Sequence, residues 1–315
     1  MDKLFRFQPV YQSRVWGGRT FAEKLGRNLP GNGPIGEAWE IVDRPEAQSI
    51  DLDSGKTLRQ LLRENPEAIM GPGFDPKQPF PILVKWLDCK ERLSLQVHPP
   101  KQVAGELGGE PKTECWYIAD AKPEAALIVG LRNGVTRDQF EQAITIESLE
   151  PLLHRFTDQP GQSILLKSGR LHAIDAGNLI LEIQENSDTT YRVYDWGRKG
   201  LDGKPRQLHI EESLQSIDFH DFEPEPNKPH TGPGEALIAQ CAQFRIRQIN
   251  LAAGESLWLP EHTQPSIASV VRGTVTDEQH STPFSTGENI LIPWSAKAVL
   301  KANQPASVLV TDRFV

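Results

Sequence analysis

Short apolar runs, each closed by glycine or proline, narrow what this chain can fold into. "FPILVKWL" (80–87), "AALIVGL" (125–131), "QSILLK" (162–167), "LILEIQ" (179–184), "FRIRQINL" (244–251) and "NILIPW" (289–294) are rich in branched and aromatic residues. Each has the length of a strand, and 25 Gly and 25 Pro supply the turns between them. Such punctuation fits β-sandwiches or barrels rather than βαβ units. Helices are few. Thr57 with Gln60 forms a capping-box start for the stripe Leu58, Leu61 and Leu62, which Pro66 ends. Thr136 with Gln139 opens a small helical insertion expected over about 136–156, with Phe140, Ile144, Leu149, Leu152 and Leu153 as its stripe. Ile210, Leu214 and Ile217 have helical spacing on a third.

The stretch "HDFEPEPNKPHTGPGEA" (220–236) has no apolar periodicity and reads as a linker or crossing loop between two β-domains. "GQSILLKSGRLH" (161–172) can be laid on "GENILIPWSAKA" (287–298), which sets His172 on Ala298. A shared barrel plan would then keep a histidine in the first domain where the second has a methyl group, placing the chemistry in the first.

Polar residues interrupt several of these runs. In "SLQVHPP" (94–100), Gln96 and His98 fall two apart and share one face of a strand, with Leu95 and Val97 on the other. "PKTECWYI" (111–118) carries Glu114, with Lys112 on its side. "GRLHAI" (169–174) carries His172, and residues 181–198 carry Glu182, Asp188, Arg192, Asp195 and Arg198. Two imidazoles, a carboxylate and an amide oxygen would make a four-ligand site for a borderline divalent metal. Each alone also has a plain structural reading: a buried histidine, a salt-bridged carboxylate, an amide satisfying backbone. Spacing leaves both readings open. Arg59, Arg63 and Lys101 read as solvated surface, and only Trp16 and Trp116 among the seven Trp lie near these segments.

A formal charge of -8 argues against a nucleic-acid binder, while leaving room for the few local cations a phosphorylated substrate needs. Cys89, Cys115 and Cys241 lack metal-ligand spacing and read as reduced thiols. The opening "MDKLFRFQPVYQSRVW" has no apolar h-region and no segment reads as a membrane span, so a cytoplasmic protein without a membrane partner is expected.

Taken in order, "SRVWGGRTF", "IGEAWEI", "ILVKWLDCKERLSLQVHP", "KTECWYI", "HAIDAGNLILEIQENSDTTYRVYDWGR" and "LHIEESL" resemble the class I mannose-6-phosphate isomerases, zinc-dependent cupin enzymes, in their short bacterial form. The resemblance spans nearly the whole chain. It implies a mainly β fold of two cupin-type (jelly-roll) β-barrels with a small helical insertion. The domains expected are a catalytic metal-binding one over 1–220, a linker over 221–235, and a smaller C-terminal cupin-like one over 236–315 without a metal site. It further implies one Zn2+ per chain on His98, Glu114 and His172, with Gln96 as fourth ligand, and Arg192 as the catalytic arginine. Departures are modest. Pro111 stands where the family usually has Gly, "KSGRLH" replaces its Pro-Ala-Gly-Thr-x-His turn and adds Lys167 and Arg170, and "HPPKQVA" replaces its commoner acidic pair.

The implied reaction interconverts mannose 6-phosphate and fructose 6-phosphate through a cis-enediol. A metal would polarise the carbonyl and a guanidinium would stabilise charge growing on oxygen. Glu182, Asp188, Lys112 or a metal-bound water are the candidates for moving the proton, with Glu182 or a water it activates preferred. Arg198, Lys112 and Asp188 are expected to bind substrate and its phosphate, a role also open to Arg192. A different metal-dependent cupin enzyme such as an oxygenase, and a non-catalytic sugar-phosphate-binding cupin, are the competing readings. The oligomeric state is left open.

Overall fold

The computed structural model describes residues 3–314. The chain forms two compact units, neither a consecutive segment. One takes the N-terminal residues to Val10, Ala38–Lys85, and Pro229 onward; the other takes Tyr11–Glu37 and Trp86–Lys228. The division expected at 1–220, 221–235 and 236–315 therefore differs from the one observed. Both put a break near Lys228, but residues up to 10 and 38–85 fold with the C-terminal part.

In that C-terminal unit, seven strands pair in the order Gly234–Gln240, Arg245–Leu251, Ala306–Asp312, Ser266–Arg272, Asn289–Ile292, Phe5–Gln8 and Ile50–Asp51. A second sheet orders Ser256–Leu259, Ala298–Ala302, Thr274–Asp277 and Thr282–Ser285. Val270, Ile290 and Val308 from the first sheet and Val275, Ala298 and Leu300 from the second share one apolar core. The expected helix begins at Leu58 behind an intact Thr57–Gln60 capping box and buries Leu58, Leu61 and Leu62. Arg59 is not simply solvated: its guanidinium is bound to the buried carboxylate of Asp43.

In the other unit, one sheet orders Leu153–Thr157, Ala126–Leu131, His172–Ile174, Leu95–Val97 and Tyr191–Tyr194. Ser163–Leu166, Glu114–Ala121 and Asn178–Glu185 are neighbours in another. Alternation along these strands sorts the side chains. Leu127, Val129 and Ile174 face inward with Trp116, Ile164, Leu166 and Ile180. Leu95, Val97, Ile128, Ala173, Tyr191 and Val193 face outward against Phe140 and Ala143 of the helix Arg137–Thr145, together with Ile217. The helical insertion is shorter than expected. After a 3-10 turn at Glu150–Leu152, Leu153–Thr157 is a strand paired to Ala126–Leu131. Adjacent Leu152 and Leu153 suit a helical stripe and a strand equally, and pairing decides.

The short repeat has a structural counterpart. Ser163–Leu166 and Asn289–Ile292 are both strands, and His172 and Ala298 each begin the next. Residues 220–228 are not a free linker. Phe222 bridges to Leu131, Asn227 bridges to Ser163, and Asp221 and Glu223 bond to the main chain of Leu131.

Candidate metal and substrate site

All of the site residues proposed from the sequence lie in the unit holding 11–37 and 86–228. Register explains how three come together. His172 is opposite Gln96, and Gln96 is opposite Arg192, so the three form a row across adjacent strands. Their neighbours Leu95, Val97, Ala173, Tyr191 and Val193 all face outward, which turns this row inward. In the other sheet Glu182 pairs with Trp116, and Glu114 lies two residues before Trp116 on the same face.

At the centre, His98, Glu114 and His172 are buried, with one potential ligand atom from each within 4.8 Å of the others. His98 Nε2 is 3.4 Å from Glu114 Oε2, and His172 Nε2 is 3.6 Å from Glu114 Oε1. His98 Nδ1 lies 2.8 Å from the carbonyl of Thr189, and His172 Nδ1 lies 2.8 Å from that of Arg170. A carbonyl only accepts, so each Nδ1 carries the proton and each Nε2 presents a lone pair. Neither Nε2 has a hydrogen-bond partner among the described residues. Burial holds His98 down to about 3, with Lys112 adding to the effect and Glu114 opposing it, and burial likewise lowers His172.

Orphaned buried lone pairs beside a carboxylate are costly unless something occupies the space between them. Two ligands about 2.0–2.1 Å from one tetrahedral ion are roughly 3.4 Å apart. The two nitrogen–oxygen separations match that spacing, so the residues fit a divalent metal. Gln96, half-buried, stands beside His172 on the inward face.

Lys112 is buried, with Nζ 2.8 Å from Glu114 Oε2 and 3.7 Å from Glu182 Oε1. Burial alone would lower its pKa, but Glu114 and Glu182 outweigh that and hold it above the ordinary lysine value. Glu114 would be raised by burial, yet the Lys112 ammonium keeps it well below the usual carboxylate range. Glu182 accepts from Trp116 Nε1 at 2.9 Å, and the Trp116 ring stands edge-on to His172. Trp16 packs in the inward core with Trp116.

The remaining expected residues are more dispersed. Arg192 donates from Nη1 to the carbonyl of Gln207, while its buried Nε has no partner among the described residues. Asp188 is exposed, within electrostatic reach of Lys112 and Arg14. Arg198 is engaged elsewhere, bound to Asp195 and to the carbonyl of Arg92, and Arg206 also binds Asp195. Sequence reading missed Arg14. Its Nε and Nη2 lie 2.7 and 3.2 Å from the two oxygens of Glu37, and its charge bears on Arg192 and Asp188. The signal was the glycine of "IGEAWEI": a Cβ on Gly36 would lie 2.5 Å from Arg14 Cβ and 2.8 Å from Trp16 Cζ3.

A mainly β protein with a buried His-Glu-His group beside a lysine has the donor set that a cupin-type protein uses to hold a metal. Residues 4–136 match the model of the phosphomannose isomerase type I catalytic domain. The chain is 35% identical over 308 residues to mannose-6-phosphate isomerase ManA of Bacillus subtilis, covering 93% of each. It is 40% identical over 282 residues to the probable mannose-6-phosphate isomerase GmuF of the same organism, covering 85% of each. The crystal structure of the mannose 6-phosphate isomerase from Bacillus subtilis superposes with a TM-score of 0.87 at 29% identity, over 98% of this chain and 99% of that one. The chain belongs to the type I phosphomannose isomerase family. The expected enzyme class and the cupin-type fold are borne out.

Proposed function

We propose that the protein interconverts mannose 6-phosphate and fructose 6-phosphate at one zinc ion held by His98, Glu114 and His172, with Gln96 as a fourth ligand. The observation that carries this reading is the pair of proton-free, unpartnered Nε2 atoms facing one buried carboxylate. Zinc accepts this nitrogen and oxygen set, and when bound it polarises the sugar's carbonyl.

The chain's own residues do the rest. The Glu182 carboxylate takes the proton from C2 and returns it to C1 by way of a cis-enediol, while the hydroxyl proton of O2 passes to O1. Lys112, kept cationic between Glu114 and Glu182, donates a hydrogen bond to the oxygen where charge grows. Arg192 adds a fixed positive charge, since a guanidinium stays protonated. The phosphate is taken by Arg192, with Arg14, paired to Glu37, adding positive charge nearby. Asp188 orders the mouth of the site, and Arg198 acts at one remove through Asp195. Cys89, Cys115 and Cys241 stand as thiols, in keeping with a cytoplasmic enzyme. Among the described residues no helix is long and apolar enough to cross a membrane.

The test is conversion of mannose 6-phosphate before chelation, after it, and after zinc is restored. Activity lost with chelator and regained with zinc supports the proposal. Saturable sugar-phosphate binding by zinc-loaded protein without turnover would favour a binding cupin instead, and oxygen uptake would favour an oxygenase.

A further inference from the structure

The turn over residues 167–170, "KSGR", touches three separate parts of the site. The amide of Gly169 donates to the carbonyl of His98 at 2.8 Å. Ser168 Oγ accepts from the amide of Lys112 at 3.0 Å, two residues before Glu114. The carbonyl of Arg170 accepts from His172 Nδ1 at 2.8 Å. The position and tautomer of one imidazole, and the main chain leading to the other two candidate ligands, therefore hang on four residues of loop. Gly169 sits at φ +95, a left-handed conformation that disfavours any side chain.

That turn is pinned from outside by one side chain. Arg170 forms a two-pronged pair with Asp221, Nε to Oδ2 at 2.8 Å and Nη2 to Oδ1 at 2.7 Å, and donates from Nη1 to the carbonyl of Leu165 at 2.7 Å. Asp221 is itself fixed, its carbonyl accepting from the amide of Leu131. The adjoining Asp218 amide donates to the carbonyl of Gly169. A fork–fork pair resists rotation in a way a single hydrogen bond does not.

We propose that the Arg170–Asp221 pair is a positioning device for the metal. It touches no ligand atom, yet it holds the turn through which the His172 ring and the main chain at His98 and Lys112 keep one arrangement. This rests on the metal-site reading above. Partners that orient a ligand from behind commonly change metal affinity by about 10–100-fold. Loss of either half of the pair is expected to weaken zinc binding about tenfold or more, while the double variant is no weaker than the worse single one.

The experiment is competition between a chromophoric chelator and the full-length chain for zinc, with visible spectra of the cobalt(II)-loaded protein alongside. Wild type, Arg170→Ala, Asp221→Ala and the double variant are compared, with apo melting temperatures reporting the fold. Folded single variants with weakened zinc binding, an altered cobalt spectrum and no further loss in the double would support the pair as one device. Arg170→Lys, which keeps charge without the fork, is expected to restore binding only in part. Should Arg170→Ala not fold, Arg170→Lys and Asp221→Asn carry the same comparison. Wild-type affinity within about twofold in folded variants, or losses that simply add, would overturn this inference alone. A wild-type chain that binds neither zinc nor cobalt would overturn the metal reading together with it.

Discussion

The rings of His98 and His172 stand with centroids 4.8 Å apart, each tied through Nδ1 to a main-chain carbonyl and each turning Nε2 toward Glu114. Neither ring can swing away without breaking a bond at its far side. Removing one ring deletes a ligand outright, a larger change than disturbing a partner behind it. His98→Ala is expected to lose zinc by more than the roughly 10–100-fold typical of such outer partners. Zinc content near one per chain in wild type and near zero in the variant after dialysis is the expected outcome; full retention would remove His98 from the ligand set.

Glu182 tests how the proton moves. It lies 3.7 Å from Lys112 and accepts from Trp116 Nε1, so its carboxylate is oriented from two sides. Glu182→Gln keeps the shape and removes the basicity. If Glu182 carries the C2 proton, kcat should fall by about 10²–10⁴-fold while KM changes little. Exchange of the substrate's C2 hydrogen with solvent should fall in parallel. A variant that retains wild-type kcat would assign the proton to another group.

Much of this site was legible because strands have a strict period of two. The alternation in "SLQVHPP" separated Gln96 from Leu95 and Val97 before any pairing was known, and the alternation from Lys112 to Glu114 put two opposite charges on one side. Contacts without a local signature were not legible. Arg14 meets Glu37 across 23 positions, and Arg170 meets Asp221 across 51. The interleaving of the two units rests on pairings such as Phe5 with Leu291, which no window of sequence contains. A proline-rich stretch such as 220–228 looks like a linker because its hydrogen bonds run to distant main chain rather than to itself.

Gly36 is the point where two such distant segments touch. A Cβ there would lie 2.5 Å from Arg14 Cβ and 2.8 Å from Trp16 Cζ3, well inside contact distance. Gly36→Ala must shift the stem of Arg14 and the buried ring of Trp16. Overpacking of this kind costs about 1–3 kcal/mol. A lower melting temperature is expected, together with a higher KM for mannose 6-phosphate if Arg14 serves the phosphate. Unchanged stability would mean the segments can part freely, contrary to this packing.

Asp158, which is not among the candidate ligands, offers a pH test. It is buried, neither carboxylate oxygen has a hydrogen-bond partner among the described residues, and burial pushes it up to about 6 from an ordinary 3.8. Asp175 adds to the rise, while Asn178 and Arg155 oppose it. A carboxyl raised on folding favours the native state while it is protonated, and that advantage is lost as pH rises through about 6. Above that pH the folded chain carries a poorly solvated charge. The cost of that charge is about 1–3 kcal/mol. Asp158→Asn should therefore be more stable than wild type near pH 8, with the difference shrinking through pH 6 and gone below about pH 4. Denaturant melts across that range check the sign: a variant less stable at pH 8 would show that the ionised carboxylate is satisfied in the fold.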